Sequence, residues 1–283
     1  MNIFKNRNIV FELSRKQVKT QYRDSTFGFI WTVLNPLLNM LVMWVVFQSV
    51  LGIKDPYYPI YLLTGNILFA AVRASTTQAL ESMVVNRDLL LRTKLDLEVF
   101  PMSNVLTSII NFGFSLIALI PFMIWLSISR GVNLFSYQLP FMILMIPALL
   151  LFEYGLGLIL SVCFVFFRDL KHLYGVFLTL WQYLTPIFYV VDFDNVGFAG
   201  KLIKLNPMFH FVNYFRDSVY RGASGIPMNI LDPEAAIAAG TFTPQAFIPK
   251  WDTLGYIYAF AVGALLIGLL LFKLLKRKII TRI

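Results

Sequence analysis

Six stretches of this chain are long enough and apolar enough to cross a lipid bilayer, and no other feature limits its fold as strongly. They run over 30–51, 58–79, 105–128, 139–167, 174–191 and 254–275. A bilayer core needs ~20 mostly apolar residues per helix. Pro36, Pro147 and Pro186 fall inside spans one, four and five, where neighbouring helices can satisfy the carbonyl that each proline frees. The span 174–191 is the shortest. Composition closes off the alternatives. With 58% hydrophobic and 14% charged residues, a soluble domain would have to cover its outside with apolar side chains. A disordered chain would be rich in charge and poor in aromatics. The expected fold is a single all-α polytopic membrane domain over residues 1–283. The lone Cys163 excludes an internal disulfide and a cysteine-based metal cluster.

The net charge of +9 makes the placement of the cations informative. Cytoplasmic loops carry the excess of Lys and Arg. Lys5, Arg7, Arg15, Lys16, Lys19 and Arg23 precede the first span. Arg87, Arg92 and Lys94 follow the second, Arg168 and Lys171 follow the fourth, and Lys273, Lys276, Arg277, Lys278 and Arg282 close the chain. The short loops on the other side hold only Lys54 and Arg130. Both termini are therefore expected in the cytoplasm, which agrees with six spans. The basic N-terminal stretch lacks the apolar core and cleavage site of a signal peptide, so the first span is expected to stay.

Three segments are not spans. Residues 7–24 read as an amphipathic helix in the cytoplasmic interface. Arg15, Lys16, Lys19 and Arg23 fall within an arc of ~100° on a helical wheel. Such a helix either anchors the chain at anionic head groups or also recruits an anionic lipid-linked substrate. Residues 82–99 form a cytoplasmic element in which Asn86-Arg87-Asp88 can open a short helix, with Asp88 placed where the helix dipole favours a carboxylate. Leu89, Leu90, Leu91 and Leu95 make this loop unusually apolar. They either dock another chain or pack beneath the bundle. The external segment 192–253 is too polar to span. Its first half, rich in Phe209, Phe211, Tyr214, Phe215 and Tyr220, predicts short re-entrant helices at the outer interface, and 222–249 reads as an irregular lid.

Polar residues at membrane depth usually face a bundle interior or a cavity. Asn66, Arg73, Thr77 and Glu81 share one face of the second span, and Glu153, Gly157 and Ser161 one face of the fourth. Arg73 and Glu153 are expected either to neutralise each other or to leave Arg73 for a phosphate in transit. Asn35 and Asn39 on span one, and Thr179, Gln182 and Tyr183 on span five, either line a polar path or make interhelical hydrogen bonds. Aromatics beyond the needs of an interfacial belt, among them Trp31, Trp44, Phe47, Phe69, Tyr154, Trp181, Tyr183, Phe188 and Tyr189, offer flat faces on which sugars can slide. The sequence has no G-x-x-x-x-G-K-[ST] phosphate loop and no H-E-x-x-H. Its two histidines, His172 and His210, fall on opposite sides of the membrane in this topology. No metal site, resident cofactor, catalytic residue or nucleic-acid partner is expected, and driving energy must come from a partner or an ion gradient.

Four pieces taken in order resemble the membrane subunit of ABC-2 type exporters of cell-surface polysaccharides, the permeases for teichoic acid, O-antigen and rhamnose-containing glycans. The first is Lys19-Thr20-Gln21-Tyr22-Arg23-Asp24-Ser25-Thr26-Phe27-Gly28-Phe29-Ile30-Trp31 with Asn35-Pro36, although Phe27 stands where that family usually has Leu. The second runs from Arg87-Asp88-Leu89-Leu90 to Glu98-Val99-Phe100-Pro101. The third is Phe166-Phe167-Arg168-Asp169-Leu170-Lys171 with Leu184-Thr185-Pro186-Ile187-Phe188-Tyr189. The fourth is Leu205-Asn206-Pro207-Met208 with Arg216. Residues 223–253 match no pattern of the family.

The resemblance implies a homodimer with two copies of a separate ATP-binding subunit, which would hold the ATP and Mg. It implies export of an undecaprenyl-phosphate- or pyrophosphate-linked glycan across the bacterial cytoplasmic membrane. Residues 86–95, with Arg87, Asp88, Leu89, Leu90 and Arg92, would couple to the ATPase. Lys16, Lys19 and Arg23 would meet the lipid head group. Trp31, Asn35, Phe69, Arg73, Tyr183, Phe188 and Tyr189 would line the path, with the first and fifth spans as a lateral gate. Asn206, Pro207, Tyr214 and Arg216 would belong to the external gate over 195–221. Three rivals compete with this reading: a membrane-embedded glycan-processing enzyme, which needs carboxylates or histidines clustered at one membrane face; an ABC-2 permease for small molecules or drugs; and a gradient-driven carrier using Arg73 and Glu153.

Overall fold

The computed structural model describes residues 3–23, 27–28, 30–52, 57–92, 95–130, 134–135, 138–191, 197–221 and 250–282. The expected lid 222–249 lies outside them. Among the described residues there are helices and no strands. In chain order the helices are α1 (Ile3–Tyr22), α2 (Ile30–Leu51), α3 (Tyr58–Val85), α4 (Arg87–Arg92), α5 (Val99–Leu116), α6 (Leu119–Arg130), α7 (Met145–Phe166), α8 (Leu170–Leu184), α9 (Gly197–Leu205), α10 (Pro207–Arg216) and α11 (Trp251–Arg282). A 3-10 turn, Leu139–Leu144, leads into α7, and a π turn, Asp217–Arg221, follows α10.

Among the described residues, four helical stretches are long and apolar enough to cross a membrane: Ile30–Val50, Val99–Ser129, Leu139–Phe166 and Trp251–Ile279. The chain is a multi-pass membrane protein. The other two expected spans fall on α3 and α8. Helix α3 is long enough but carries Asn66, Arg73 and Glu81 on its surface. Helix α8 has 15 residues, about 22 Å at the α-helical rise, and the chain unwinds where the sequence predicts helix to 191. The third expected span is also broken. Pro121 has no N–H for the carbonyl of Ile117 and its ring crowds that group, so the helix tightens at Ile117 and Ala118 before α6 resumes.

Helix α3 is the hub. It packs on α5, α7, α2 and α10 and buries residues along most of its length. The most extensive contact joins α7 to α11. Its cause is glycine: a Cβ on Gly155 would run into the backbone of Ala264 and Leu265, and one on Gly268 would meet the carbonyl of Gly155 at 2.6 Å. Small residues let helix backbones approach this closely. Helix α2 continues through Pro36. The carbonyl that Pro36 frees belongs to Thr32, and Ser115 Oγ of α5 donates to it at 3.3 Å. The apolar outer faces of α2 (Leu38, Leu41, Val42, Val45) and α8 (Leu173, Val176, Leu180) are exposed within one chain.

Candidate functional site

At one end of the bundle, three sequence pieces far apart in the chain converge. Pro186 ends α8 because the residue before a proline is driven out of the α region, and Thr185 is extended at φ −87°, ψ 124°. Segment 185–189 then exposes carbonyls in a buried setting, where each needs a donor. Arg216, 0% exposed, supplies several. Nη1 donates to Pro186 O at 2.8 Å, and Nη2 lies 3.0 Å from Tyr61 O and 3.3 Å from Ile187 O. The guanidinium sits 3.5 Å from the centroid of the Tyr61 ring. Gly65 makes the room, because a Cβ there would lie 2.8 Å from Arg216 Nη2. Tyr61 OH donates to Pro186 O at 2.9 Å and to Tyr189 O at 2.5 Å, and Tyr58 OH donates to Phe188 O at 2.7 Å.

Asn206 fastens the same break from the other side. Its Oδ1 caps α10 by accepting from Met208 N–H at 3.0 Å, with Pro207 in the first turn. The same oxygen accepts from the Trp181 indole at 2.7 Å, and Nδ2 donates to Thr185 Oγ1 at 2.9 Å. Tyr214 OH donates to Phe141 O at 3.1 Å. Asn206, Pro207 and Arg216, expected in an external gate, therefore stand in one buried knot that holds the unwound end of α8, while Tyr214, expected with them, is fastened instead to the turn that leads into α7.

At membrane depth the arrangement is open. Arg73 Nη2 donates to Gln182 Oε1 of α8 at 2.6 Å, and its guanidinium lies 5.5 Å from the Phe69 ring centroid. The expected pairing of Arg73 with Glu153 does not form. Among the described residues Glu153 has no ion pair. It is fully buried between α3, α5 and α7 with Ser108 Oγ 3.5 Å away. The physical reason is direction: Arg73 points along the α3 face towards α8, while α7 packs on another side. Phe69 and Phe188, expected on the path, are buried and back this open face rather than form it. Tyr183 is 63% exposed, and Tyr189 is exposed, with its OH bonded to Tyr183 O. Asn35 is exposed on α2, and Trp31 is half-buried against Phe27.

The cationic side chains Arg15, Lys16, Lys19 and Arg23 are exposed on or just after α1. The opposite face of α1 docks on α5 through a polar seam. Ser14 Oγ donates to Ser103 O at 2.9 Å, Gln17 Nε2 to Asn104 Oδ1 at 2.8 Å, and Thr107 Oγ1 to Gln17 Oε1 at 2.6 Å. Helix α4 forms where the sequence predicts it, with Arg87, Asp88, Leu89 and Arg92 exposed and Leu90 half-buried. Beside it, Glu81 near the end of α3 pairs with Lys171 at the start of α8 at 2.5 Å. Asp96 accepts from Asn6 Nδ2 at 2.8 Å and lies 3.8 Å from Lys276 Nζ, tying α1 and α11 to the segment after α4. Burial raises the Glu98 carboxyl above the ordinary range, against the pull of Lys276.

Sequence reasoning missed Tyr58, Tyr61, Thr185 and Gln182 as partners of the singled-out residues. One signal was available: a tyrosine pair at i, i+3 opening an apolar helix needs acceptors for its hydroxyls.

A sequence model of the ABC-2 type transporter family matches residues 9–220. The O-antigen export system permease protein RfbA of Myxococcus xanthus is 30% identical over 224 residues, covering 77% of this chain and 82% of that protein. The protein of the same description from Klebsiella pneumoniae is 26% identical over 215 residues, covering 76% and 81%.

Proposed function

This chain belongs to the ABC-2 type transporter family, and from that premise we propose that it is the permease subunit of an ATP-driven exporter of a lipid-linked polysaccharide. Two copies of the chain would assemble with two separate ATP-binding subunits, in the bacterial cytoplasmic membrane with both termini inside and α3 and α8 as the remaining two of six spans. The observation that carries this reading is the half-open polar face at membrane depth. Arg73, Asn66, Thr77, Thr179 and Gln182 are not sealed inside one chain. Uncovered polar groups at that depth need water or a second protein surface. The exposed apolar stripes of α2 and α8 supply that surface for a second copy, leaving a wetted seam between protomers.

Each residue set then has a task. Lys16, Lys19 and Arg23 draw an anionic phosphate or pyrophosphate head group to the inner interface. The ATPase docks on α4 through Arg87, Asp88, Leu89, Leu90 and Arg92, and its closure is passed on by α3 and by the Glu81–Lys171 pair to α8. The glycan moves along Trp31, Asn35, Arg73, Tyr183 and Tyr189, with Phe69 and Phe188 supporting from behind. The knot around Arg216 and Asn206 fixes the outer exit. ATP and Mg belong to the partner subunit.

The test is a deletion strain complemented with tagged protein. Intracellular accumulation of lipid-linked glycan in the deletion, and recovery of an ATPase subunit in equal amount with the tagged chain, are expected. Normal surface glycan in the deletion sinks the reading. So does recovery of this chain alone from membranes in which other ABC complexes stay intact.

A further inference from the structure

The end of the bundle opposite α1 and the basic C-terminal tail holds a cavity of about 400 Å³ between the end of α9, α10 and the start of α11. That volume lies within the range of small-molecule sites, ~300–1,000 Å³. Its lining is mixed. Lys204, Lys250 and Asp252 bring charge, and Phe209, Tyr256 and Phe260 bring rings; Asp252, Tyr256 and Phe260 follow one another at i, i+4 and i+8 along one face of α11. The depth is set by α11. The apolar stretch of that helix begins at Trp251, and Trp251 and Tyr256 are both exposed at its start, the position of an interfacial aromatic belt. Phe260 lies one turn further into the membrane. The cavity thus runs from headgroup level to the first acyl carbons.

Its charges are of both signs. Lys250 Nζ pairs with Asp217 at 2.9 Å, and its side chain is 57% exposed, so further ammonium hydrogens remain available. Among the described residues Asp252 has no ion pair. Asp252 sits in the first turn of α11, where the helix dipole favours a carboxylate. That accounts for its type but not for its place beside two lysines in a cavity. His210 forms the wall. Its Nε2 lies 2.8 Å from Lys204 O, and its ring stacks on Tyr256 at 5.2 Å and on Phe260 at 6.0 Å. This stack holds α9, α10 and α11 in register around the cavity.

We infer that this cavity is a binding site for the headgroup of a zwitterionic phospholipid in the leaflet opposite α1. Lys204 and Lys250 take the phosphate, Asp252 takes the ammonium, and Phe209, Tyr256 and Phe260 pack on the glycerol and upper acyl carbons. A purely anionic headgroup would meet Asp252 and Asp217 unfavourably. A neutral sugar would use the rings but leave the paired charges without a counterpart. The inference stands apart from the exported substrate and does not require that reading to hold.

The test uses the full chain, with any co-purifying subunits, in nanodiscs containing phosphatidylethanolamine or phosphatidylglycerol in a neutral-lipid background. Lipid retention is read by native mass spectrometry, and thermal stability by fluorescence. Retention of phosphatidylethanolamine over phosphatidylglycerol is expected. It should fall about tenfold in Asp252→Asn and in Lys204→Ala, the loss of one charge-assisted contact. Asp252→Asn keeps the side-chain shape, so it reports binding even if Lys204→Ala folds poorly. Soluble phosphoethanolamine should not compete, because it lacks the acyl carbons. Equal retention of the two lipids, unchanged retention in Asp252→Asn, or displacement of the lipid by free oligosaccharide would each overturn the assignment, the last in favour of a sugar site.

Discussion

Arg216 and Arg73 both lie over aromatic rings, and their surroundings differ in almost every other respect. Arg216 is completely buried, 3.5 Å from the Tyr61 ring centroid, and serves three backbone carbonyls. Arg73 is half-exposed, 5.5 Å from the Phe69 ring centroid, and donates to one side-chain amide oxygen, that of Gln182. A guanidinium has five donors in a rigid fork. Where that fork meets carbonyls freed by a proline break, the charge becomes part of the backbone's hydrogen bonding and the segment is fixed. Where most of it faces outwards, the charge stays available to something that passes. One fold thus holds the same side chain as a fastener at one end of the bundle and leaves it half-open at the middle.

The sharpest way to break this comparison is at the fastener. Arg216→Met removes one donor each from Ile187 O, Pro186 O and Tyr61 O. It also ends the stacking on Tyr61. Buried groups left unpaired cost ~1–3 kcal/mol each, so a loss of about 3 kcal/mol or more is expected. That should show as a collapsed yield of monodisperse protein in detergent. Arg216→Lys should recover part of it, because one ammonium cannot span three acceptors. A melting temperature unchanged in Arg216→Met would remove the fastener role.

The next largest effect is expected at Asn206. Asn206→Ala deletes the cap of α10 and leaves the Trp181 indole and Thr185 hydroxyl without this partner. A lost cap costs ~1 kcal/mol and the orphaned donor a similar amount, about 2 kcal/mol together. Trp181 fluorescence should shift as its N–H loses its acceptor, which gives a second reading of the same change. Tyr61→Phe is expected to cost about 1 kcal/mol, since Arg216 still serves Pro186 O while Tyr189 O loses the phenol. If Tyr61→Phe proves as damaging as Arg216→Met, the knot rests on the tyrosine and the arginine is secondary.

The unequal legibility of the two regions follows from how each is built. Local chemistry was readable where one short element carries it: Asn86-Arg87-Asp88 opens α4 where the sequence predicts it. The stop at Pro186 was not, because the apolar run to 191 reads as one span that tolerates a proline, whereas α8 ends at Leu184. The cationic face of α1 was readable from its wheel. Partners across the chain were not: Tyr61 and Arg216 are 155 positions apart, and no periodicity links them. The expected Arg73–Glu153 pair failed for the same reason. Helical spacing says which residues share a face but not which neighbouring helix that face meets. Pro121 and Pro186 both fall inside expected spans, and the apolar run around each hid the break, at Ile117 and Ala118 before the one and at Thr185 before the other.

The smallest effect on stability, and the most informative for the comparison, is expected at Arg73. Arg73→Gln gives up one hydrogen bond to Gln182 and a long-range ring contact on a half-open face, and partly exposed contacts of this kind are worth about 0.5 kcal/mol or less net. Thermal unfolding should therefore match the native protein closely. If Arg73 meets an anionic group in transit, the same substitution should slow the appearance of surface glycan about tenfold, the effect of ~1.4 kcal/mol on a passing contact. Arg73→Lys should keep more of the flux, because a point charge still meets phosphate even without the fork. Gln182→Ala separates the two roles: it removes the partner but leaves the charge. Its flux should stay near native if the guanidinium acts on the substrate, and should fall with that of Arg73→Gln if the Arg73–Gln182 bond only holds α8 against α3. In that second case Arg73 would be a weaker fastener of the same kind as Arg216, and the contrast between the two arginines would be one of degree.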